Sequence, residues 1–241
     1  MGRKRPADIR EVWNGGVDYL PLRKLGVETM DVKLIKPPTP FHALVREKIR
    51  ANTMTFLIGC AGTGKSTYAV QEALFALKEG AVKKIIITRP AITANENHGF
   101  LPGSLDDKMM PYMLPVTDAI DLTVGVETRK KLLEEELVEI APVGFCRGRT
   151  FADAFVVVDE VQNCTAEQLV MILTRMGHRS KMVLNGDPSQ SDLGKDVIGA
   201  FTKIWHLANR DIPGVAYVHY DKSHIVRPKI VRDILEALEA E

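Results

Sequence analysis

The feature that most constrains this chain is an eight-residue loop, GCAGTGKS, that runs from Gly59 to Ser66. It follows an apolar run, MTFLIG, and precedes a segment rich in alanine and leucine. Its fixed positions match G-x-x-x-x-G-K-[ST], in which glycines let the backbone curl so that amide groups point at an anion. The positive end of the following helix adds to that attraction. The sequence therefore predicts a strand, a phosphate-binding loop and a helix, and with them a nucleoside-triphosphate site.

This loop pattern also predicts roles for individual side chains. The Lys65 ammonium is expected to reach the β and γ phosphates, and the Ser66 hydroxyl is expected to ligate Mg²⁺. The predicted nucleotide-binding residues are Gly59, Cys60, Ala61, Gly62, Thr63, Gly64, Lys65, Ser66 and Thr67.

Around the loop, short apolar runs alternate with segments of helical periodicity. Five runs are predicted to be strands: MTFLIG, KKIIITRP, FVVVDE, SKMVLNGD and GVAYVHY. They are continuously apolar rather than alternating, as expected when helices cover both faces of a parallel sheet. Helices are predicted over FHALVREKI, over STYAVQEALFALKEG with Gly80 at its end, and over TAEQLVMILTRMG, which opens with a capping box from Thr165 to Gln168 and closes on Gly177. The fold class is α/β, with a parallel sheet between two layers of helices.

The chain length and one proline-rich stretch indicate the domain organisation. The 241 residues are enough for one α/β domain with a short appendage. KPPTP, residues 36–40, forms a stiff boundary because prolines fix φ and lack an amide donor. We expect residues 1–35 to form an N-terminal arm or small appendage and residues 36–241 to form the main domain.

Composition excludes several classes of protein. The 32 Lys+Arg against 31 Asp+Glu give a net charge of +1, so overall charge does not indicate a nucleic-acid binder, although a local basic surface stays open. Three cysteines without zinc-like spacing favour a reducing compartment. The basic N-terminus has no apolar stretch behind it, and no window approaches the roughly 18 apolar residues of a membrane span. We expect a cytoplasmic protein that does not enter a membrane.

A second candidate site is the acidic pair at the end of FVVVDE. Asp159 is placed to hold the Mg²⁺ shell, and Glu160 is placed to polarise a water for attack on the γ-phosphate. The alternatives are an ordinary polar strand end and, for Glu160, a charge at a helix N-terminus. Proteins that only hold a nucleotide do not need the second carboxylate, so hydrolysis is the favoured interpretation.

A third candidate site is NGDPSQ, residues 185–190, directly after the predicted fourth strand. A polar side chain there can sense the γ-phosphate, and Gln190 is the predicted sensor. By itself the stretch also fits a simple turn, because Gly-Asp-Pro-Ser is good turn chemistry. The glutamate and the sensor together favour water over a small-molecule phosphate acceptor.

Several stretches together resemble the PhoH-like ATPases, from about Pro37 to Glu241. They are GCAGTGKS, ITRPAITANENHGFLPGSLDDKMMPY, APVGFCRGRTFADAFVVVDEVQN, LTRMGHRSKMVLNGDPSQSDL and IVRPKIV. The resemblance implies a RecA-like P-loop fold related to superfamily-one helicase cores. It also implies ATP binding and hydrolysis with Mg²⁺, a ring-shaped oligomer, and a role on RNA or single-stranded DNA. An oligomeric module whose nucleotide state governs assembly, without translocation, is the alternative.

The same resemblance assigns roles to four arginines and draws attention to one histidine. Arg89 falls where related helicases turn a strand end toward nucleic acid, and Arg147 and Arg149 precede the FVVVDE strand. Arg147 and Arg149 are both expected to contact either phosphate or a neighbouring subunit, and Arg147, like Arg89, is a candidate contact for nucleic acid. Relatives carry a glutamine ahead of the loop that is available to read adenine; here the residue is His42, which puts adenine selectivity in question.

Arg149 and Arg227 are candidate catalytic arginines. Because one RecA-like domain has no second domain to present them, we expect one of them to act in trans across the interface of a hexameric ring.

Overall fold

A single parallel sheet organises the chain. The computed structural model describes residues 27–90, 105–193 and 199–228, together with Ile230, Val231 and Ile234. The strands are β1 (Met54–Gly59), β2 (Lys84–Arg89), β3 (Val138–Pro142), β4 (Ala154–Val158), β5 (Lys181–Gly186) and β6 (Val215–Tyr220). Their order is β3-β2-β4-β5-β1-β6, and every neighbouring pair is parallel. The predicted fold class is confirmed.

Helices connect these strands and lie on both faces of the sheet. They are α1 (Pro40–Ala51), α2 (Lys65–Lys78), α3 (Leu105–Val124), α4 (Val126–Glu134), α5 (Ala166–Leu173) and α6 (Ala200–Ala208). Short 3₁₀ turns cover Val27–Thr29, Val143–Cys146, Val161–Asn163, Pro188–Gln190 and Lys222–His224. In the part of the chain that the structure describes, none of the helices combines the length and the apolar character that crossing a membrane requires.

Two apolar layers form because neighbouring strand residues point to opposite faces. Leu57 and Val157 belong to a buried cluster with side chains of α1, α2, α3 and α4. Phe56 and Val156, one position earlier in each strand, belong to a second cluster with α5 and α6. Both faces of the central strands are therefore covered, which explains why their sequences are continuously apolar.

The sequence did not predict β3, which is an edge strand. β3 pairs only with β2, and four of its five residues are partly exposed, including Glu139. An edge strand with one solvated side lacks the continuous apolar run by which the other strands were identified.

The start of α5 agrees with the sequence prediction, whereas its end does not. The capping box of Thr165 and Gln168 is present at the start of α5. However, α5 ends at Leu173, and the chain then turns back so that the Gly177 amide donates to the Phe151 carbonyl at 2.8 Å. The sequence segment closing on Gly177 is thus a helix followed by a return loop.

The first described residues pack on the main domain. Val27 and Met30 are buried in the same cluster as α2, and the Lys33 amide donates to the Thr123 carbonyl at 2.9 Å. The described part of the predicted arm, residues 27–35, therefore contributes to the domain core. Residues 1–26 lie outside the described residues.

Candidate active site

The phosphate-binding loop is shaped by its neighbours at the carboxyl end of β1. Gly59 has a φ of 131°, and a Cβ there would lie 1.9 Å from the Tyr220 carbonyl oxygen, so no other residue fits. Gly62 and Gly64 also have positive φ. The Thr63 hydroxyl donates to the Cys60 carbonyl at 2.9 Å and closes the loop on itself. The loop predicted from sequence is therefore present, between β1 and the first turn of α2.

Lys65 points into this loop. Its ammonium donates to the carbonyls of Gly59 and Cys60, each at 2.6 Å. Burial lowers the pKa of Lys65, and the carboxylates of Asp187 and Glu160 oppose that shift. The Lys65 ammonium is buried, and phosphate oxygens could replace its carbonyl partners. It is therefore suited to binding a polyphosphate.

Ser66 and the end of β4 form an oxygen-rich corner. The Ser66 hydroxyl donates to Asp159 Oδ1 at 2.8 Å and accepts from Asn185 Nδ2 at 2.9 Å. Asp159 is only 2% exposed, and Asn185 Oδ1 is buried without a hydrogen-bond partner among the described residues. Hydroxyl and carboxylate oxygens are the ligands that Mg²⁺ takes beside substrate phosphates. The residues present thus fit Mg²⁺, and Ser66 and Asp159 are the candidate protein ligands.

Glu160 is held in an unusual backbone conformation beside Asp159. Its φ of 56° and ψ of 45° are left-handed, which costs a non-glycine residue about 1–2 kcal/mol. Its carboxylate accepts from Gln162 Nε2 and pairs with Arg89 at 3.3 Å. Burial raises the pKa of Glu160, Asp159 adds to the rise, and Arg89, Gln162 and Lys65 oppose it. The left-handed backbone and these partners fix a carboxylate at the edge of the cavity.

Two residues that the sequence reasoning passed over connect these parts. Asp187 accepts from the Ala61 amide at 2.9 Å, which ties the loop to the end of β5. Gln162 Oε1 accepts from the Asp187 amide at 3.1 Å, while its amide nitrogen holds Glu160. Gln162 lies in DEVQN and Asp187 lies in NGDPSQ. The sequence signal that could have identified them is a polar residue shortly after a buried strand.

These groups line one cavity of about 250 Å³. Gln190, the predicted sensor, lies on its wall at the end of the 3₁₀ turn that follows β5. Gly59 and Cys60 lie behind it, where their carbonyls hold Lys65. The lining residues are Ala61, Gly62, Thr63, Gly64, Lys65, Ser66, Thr67, Asp159, Glu160, Asn185, Gly186, Asp187, Gln190 and Arg227.

Arg227 lies at the cavity of its own chain. It was one of two candidate catalytic arginines, with Arg149, of which one was expected to act from a neighbouring subunit, and it lines the cavity within its own chain. A Cβ on Gly62 would lie 3.1 Å from Arg227 Cγ, so the arginine passes directly over the loop. The segment after β6 returns to the carboxyl edge of the sheet because β6 is parallel to β1 and adjacent to it. One domain is therefore enough to present this arginine in cis.

Arg89 also lies elsewhere than expected. Its side chain is 13% exposed and pairs with Glu160 at 3.3 Å and with Asp159 at 3.9 Å. The end of β2 adjoins the end of β4, so Arg89 faces the two carboxylates of the site. This position serves the acidic pair rather than a nucleic acid outside the sheet.

Arg149 is engaged within the chain and does not line the cavity. Both of its terminal nitrogens donate to the Glu139 carboxylate on β3, and the guanidinium lies 5.3 Å from the Phe151 ring centroid. This bidentate pair lowers the pKa of Glu139 and raises that of Arg149. The arrangement assigns Arg149 to holding the edge strand, which corrects its expected catalytic role.

Arg147, by contrast, is exposed. It follows the 3₁₀ turn Val143–Cys146, whose Phe145 is 53% exposed. The turn continues directly from the carboxyl end of β3. An exposed cation and an exposed aromatic ring thus lie two residues apart at the same edge of the sheet as the cavity.

His42 supports the loop. It is fully buried, and its Nε2 lies 3.3 Å from the Thr63 carbonyl while its Nδ1 lies 2.8 Å from the Thr39 hydroxyl. Because a carbonyl only accepts, Nε2 carries the proton and Nδ1 accepts. Burial lowers the pKa of His42, which keeps it neutral. With both ring nitrogens engaged, His42 offers no hydrogen bond to a nucleotide base.

The fold and this cavity together define a nucleotide-binding protein of the ATPase type. Residues 34–239 match the model of the family described as PhoH-like protein. The chain belongs to the PhoH-like family, as the sequence resemblance indicated.

Similar proteins support the same assignment. The chain is 44% identical over 191 residues to a PhoH-like protein of Bacillus subtilis (strain 168), covering 79% of this chain and 60% of that protein. It is 35% identical over 225 residues to Protein PhoH of Escherichia coli (strain K12), covering 92% of this chain and 62% of that protein. The chain thus spans about three fifths of the length of these relatives.

Two solved structures share a lower similarity. One is the Pif1 helicase from Candida albicans, with 16% identity and a TM-score of 0.45 over 86% of this chain and 44% of that one. The other is the Sulfolobus solfataricus SWI2/SNF2 ATPase core in complex with dsDNA, with 13% identity and a TM-score of 0.46 over 80% of this chain and 47% of that one. TM-scores of this size carry no functional inference.

We predict that Arg149→Ala lowers the free energy of unfolding by about 1 kcal/mol at pH 7, because both partners of the pair are about one-third exposed. The pKa of Glu139 is lower in the folded state, so this stabilisation is present above the ordinary pKa of a glutamate and is lost as the pH falls through the folded value. Urea unfolding at pH 7 and at pH 3 measures the effect, and the difference from wild type should shrink at pH 3. A large loss of ATP turnover with unchanged stability would contradict a structural role.

Proposed function

We propose that this protein hydrolyses ATP in the cavity at the carboxyl edge of the sheet. The observation that carries the proposal is the position of Glu160, a second carboxylate fixed by Gln162 and Arg89 beside the metal-ligand candidate Asp159. A site that only binds nucleotide has no use for this costly backbone conformation and this buried charge. Glu160 is positioned to orient and polarise a water molecule for in-line attack on the γ-phosphate.

The remaining residues of the cavity bind and neutralise the triphosphate. Lys65 and Arg227 supply positive charge from two sides of the loop, and the loop amides donate to the phosphate oxygens. Mg²⁺, held by Ser66 and Asp159, would neutralise charge on the phosphates when bound. Gln190 lies on the wall where it can sense the γ-phosphate.

We further propose that hydrolysis is coupled to RNA or single-stranded DNA. Phe145 and Arg147 support this because aromatic stacking on bases and arginine contact with phosphate are the elements of sequence-tolerant single-strand binding. Both lie at the edge of the sheet that carries the ATP site, so polymer binding and hydrolysis share neighbouring elements. The three cysteines are free among the described residues, which accords with a reducing, cytoplasmic setting.

A second candidate is an ATP-dependent assembly module that does not move along nucleic acid. Arg227 completes the cavity within one chain, so a neighbouring subunit is not needed to supply the arginine, and nucleotide binding can govern assembly rather than depend on it. The proposed assembly is a ring, which the family resemblance implies, and a hexamer is the form to be tested. Stimulation of ATP turnover by RNA distinguishes the two functions.

We expect Glu160→Gln to retain ATP binding and to lower turnover about a hundredfold or more, because the amide keeps the shape but cannot act as a base. Phosphate release and calorimetric binding of a slowly hydrolysed ATP analogue measure the two properties. Lys65→Ala is the matched control and should weaken both. Normal turnover by Glu160→Gln would exclude Glu160 as the base.

We expect Arg147→Ala to weaken binding of single-stranded RNA at least fivefold and to reduce the slope of affinity against salt concentration by about one contact. Filter binding between 50 and 300 mM salt measures this. Arg210→Ala, an exposed arginine ahead of β6 at the opposite edge of the sheet, is the control and should behave as wild type. Arg89→Ala should lower turnover while leaving RNA affinity unchanged. Equal loss of RNA binding in the Arg147 and Arg210 variants would refute the proposed surface.

We expect mixtures of Lys65→Ala and Arg227→Ala subunits to show no more ATPase activity than the sum of the separate variants, because Arg227 serves the cavity of its own chain. Light scattering of the same samples gives the oligomeric state. Restored activity in the mixture would return Arg227 to a role across an interface. A fully active monomer at assay concentration would refute the proposed hexamer.

A further inference from the structure

The chain that follows β6 forms a short segment over the phosphate-binding loop. We name residues Asp221–Arg227 the C-terminal strap. It starts where β6 ends beside Gly59, and it contains the 3₁₀ turn Lys222–His224. Its last residue, Arg227, lies in the cavity wall.

The strap contacts the loop through backbone and side chain. The Val226 amide donates to the Gly62 carbonyl at 3.0 Å. The Arg227 side chain crosses the face of Gly62, where a Cβ would come within 3.1 Å of it. In the described part of the chain, neither a hydrogen bond nor an ion pair holds the Arg227 guanidinium. The position of its charge is therefore set by the backbone of the strap.

Contacts outside the loop fix that backbone. Asp221 caps the turn, because its Oδ1 accepts from the Ser223 amide at 2.8 Å, and the Asp221 amide donates to His224 Nδ1 at 3.1 Å. The His224 ring stacks on Phe41 of α1 with centroids 3.6 Å apart and an interplanar angle of 25°. The strap is thus fastened at one end to α1 and at the other to the loop.

We propose that the stack of His224 on Phe41 is a positioning device that holds Arg227 where it distinguishes a nucleoside triphosphate from a diphosphate. The proposal rests on the proposed ATPase function and adds to it the element that sets triphosphate preference. A long arginine side chain loses rotamer freedom when it binds phosphate, and a fixed backbone origin limits that loss. Without the stack, the strap keeps its covalent connection to β6 and the hydrogen bond from Val226 to the loop, but it loses its contact with α1, and the backbone that carries Arg227 is less firmly held.

The position of Arg227 is expected to affect binding of the γ-phosphate, which ATP carries and ADP lacks. The loop amides serve the phosphates that ATP and ADP share, and Lys65 is expected to reach both the β and the γ phosphate. Arg227 crosses Gly62 and lines the same cavity as Glu160 and Gln190, so it can add a contact to the γ-phosphate. Loss of the stack is expected to weaken triphosphate binding and to leave diphosphate binding nearly unchanged. Both His224 and Arg227 variants should show this pattern, since one acts through the other.

Equilibrium binding of ATPγS and ADP in the presence of Mg²⁺, measured by calorimetry, tests the proposal. Arg227→Ala should weaken ATPγS about tenfold and ADP less than twofold, the size of one lost charge-assisted contact. His224→Ala should weaken ATPγS three- to tenfold with the same small effect on ADP. The double variant should be no weaker than Arg227→Ala alone.

Three further variants separate positioning from general stability. His224→Phe keeps a planar ring on Phe41 but removes the Nδ1 that accepts from the Asp221 amide; because the stack is the proposed fastening, it should restore ATPγS binding to within about threefold of wild type. His206→Ala, on α6 away from the cavity, is the matched control and should have no effect. If His224→Ala proves unstable by thermal unfolding, Phe41→Leu tests the same stack from the other side.

Three results would contradict the positioning role. Equal weakening of ATPγS and ADP by His224→Ala, additive losses in the double variant, or failure of His224→Phe to restore binding would overturn the positioning role. Because binding is measured without turnover, the expected affinity pattern in a protein that does not hydrolyse ATP would refute the proposed function and leave the positioning role intact.

Discussion

The parallel pairing of β1 with β5 on one side and β6 on the other is the constraint on which the site depends. It brings the end of β1 into register with the ends of both neighbours, Ile58 with Gly186 and Gly59 with Tyr220. The loop that leaves β1 then meets a polar residue from each side. Asp187 accepts from the Ala61 amide, and the Tyr220 carbonyl accepts from the Cys60 amide at 3.2 Å. The curl of the phosphate-binding loop thus depends on three strands as well as on its own eight residues.

The insertion of β5 between β1 and β4 has an electrostatic consequence. Asp159 follows β4 and Ser66 follows the loop after β1, and these two strands are not neighbours, yet Asn185 on the intervening strand donates to the same hydroxyl that Asp159 accepts from. The carboxylates of Asp159 and Glu160 are adjacent, and burial first and repulsion from Asp159 second raise the pKa of Glu160. Arg89 opposes this from β2, together with Gln162 and Lys65. The cation at the end of the neighbouring strand therefore helps the site to tolerate the acidic pair.

The sequence was sufficient to predict the features that depend on contiguous residues. The glycine loop, the acidic pair after FVVVDE and the strands buried on both faces were all predictable, because each follows from local backbone geometry or from burial on both sides of a sheet. β3 was not, since an edge strand lacks the apolar run. The capping box of α5 was predictable from Thr165 and Gln168 alone, whereas the end of that helix depends on a tertiary hydrogen bond to Phe151.

The roles of the arginines could not be predicted, for one physical reason. A guanidinium reaches several residues in any direction, so its partner depends on which strand ends are neighbours. Arg89 faces Glu160 because β2 adjoins β4, and Arg149 faces Glu139 because the chain after β3 returns along the sheet edge. Arg227 lies over Gly62 because β6 runs parallel to β1. Each of these contacts depends on the strand order, which cannot be read from the sequence.

Two of the hydrogen bonds that hold the loop from outside connect it to the segments that carry Gln190 and Arg227. The turn after β5 holds the Ala61 amide through Asp187, and the strap holds the Gly62 carbonyl through Val226. These neighbouring residues lie at the tip of the loop, and a bound phosphate would compete for the loop amides and for the Lys65 ammonium, which now donates to the carbonyls of Gly59 and Cys60. An adjustment of the loop on binding would therefore act on both flanking segments at once. One of them carries Gln190 and the other carries Arg227, so the two groups proposed to approach the γ-phosphate belong to the segments that contact the loop.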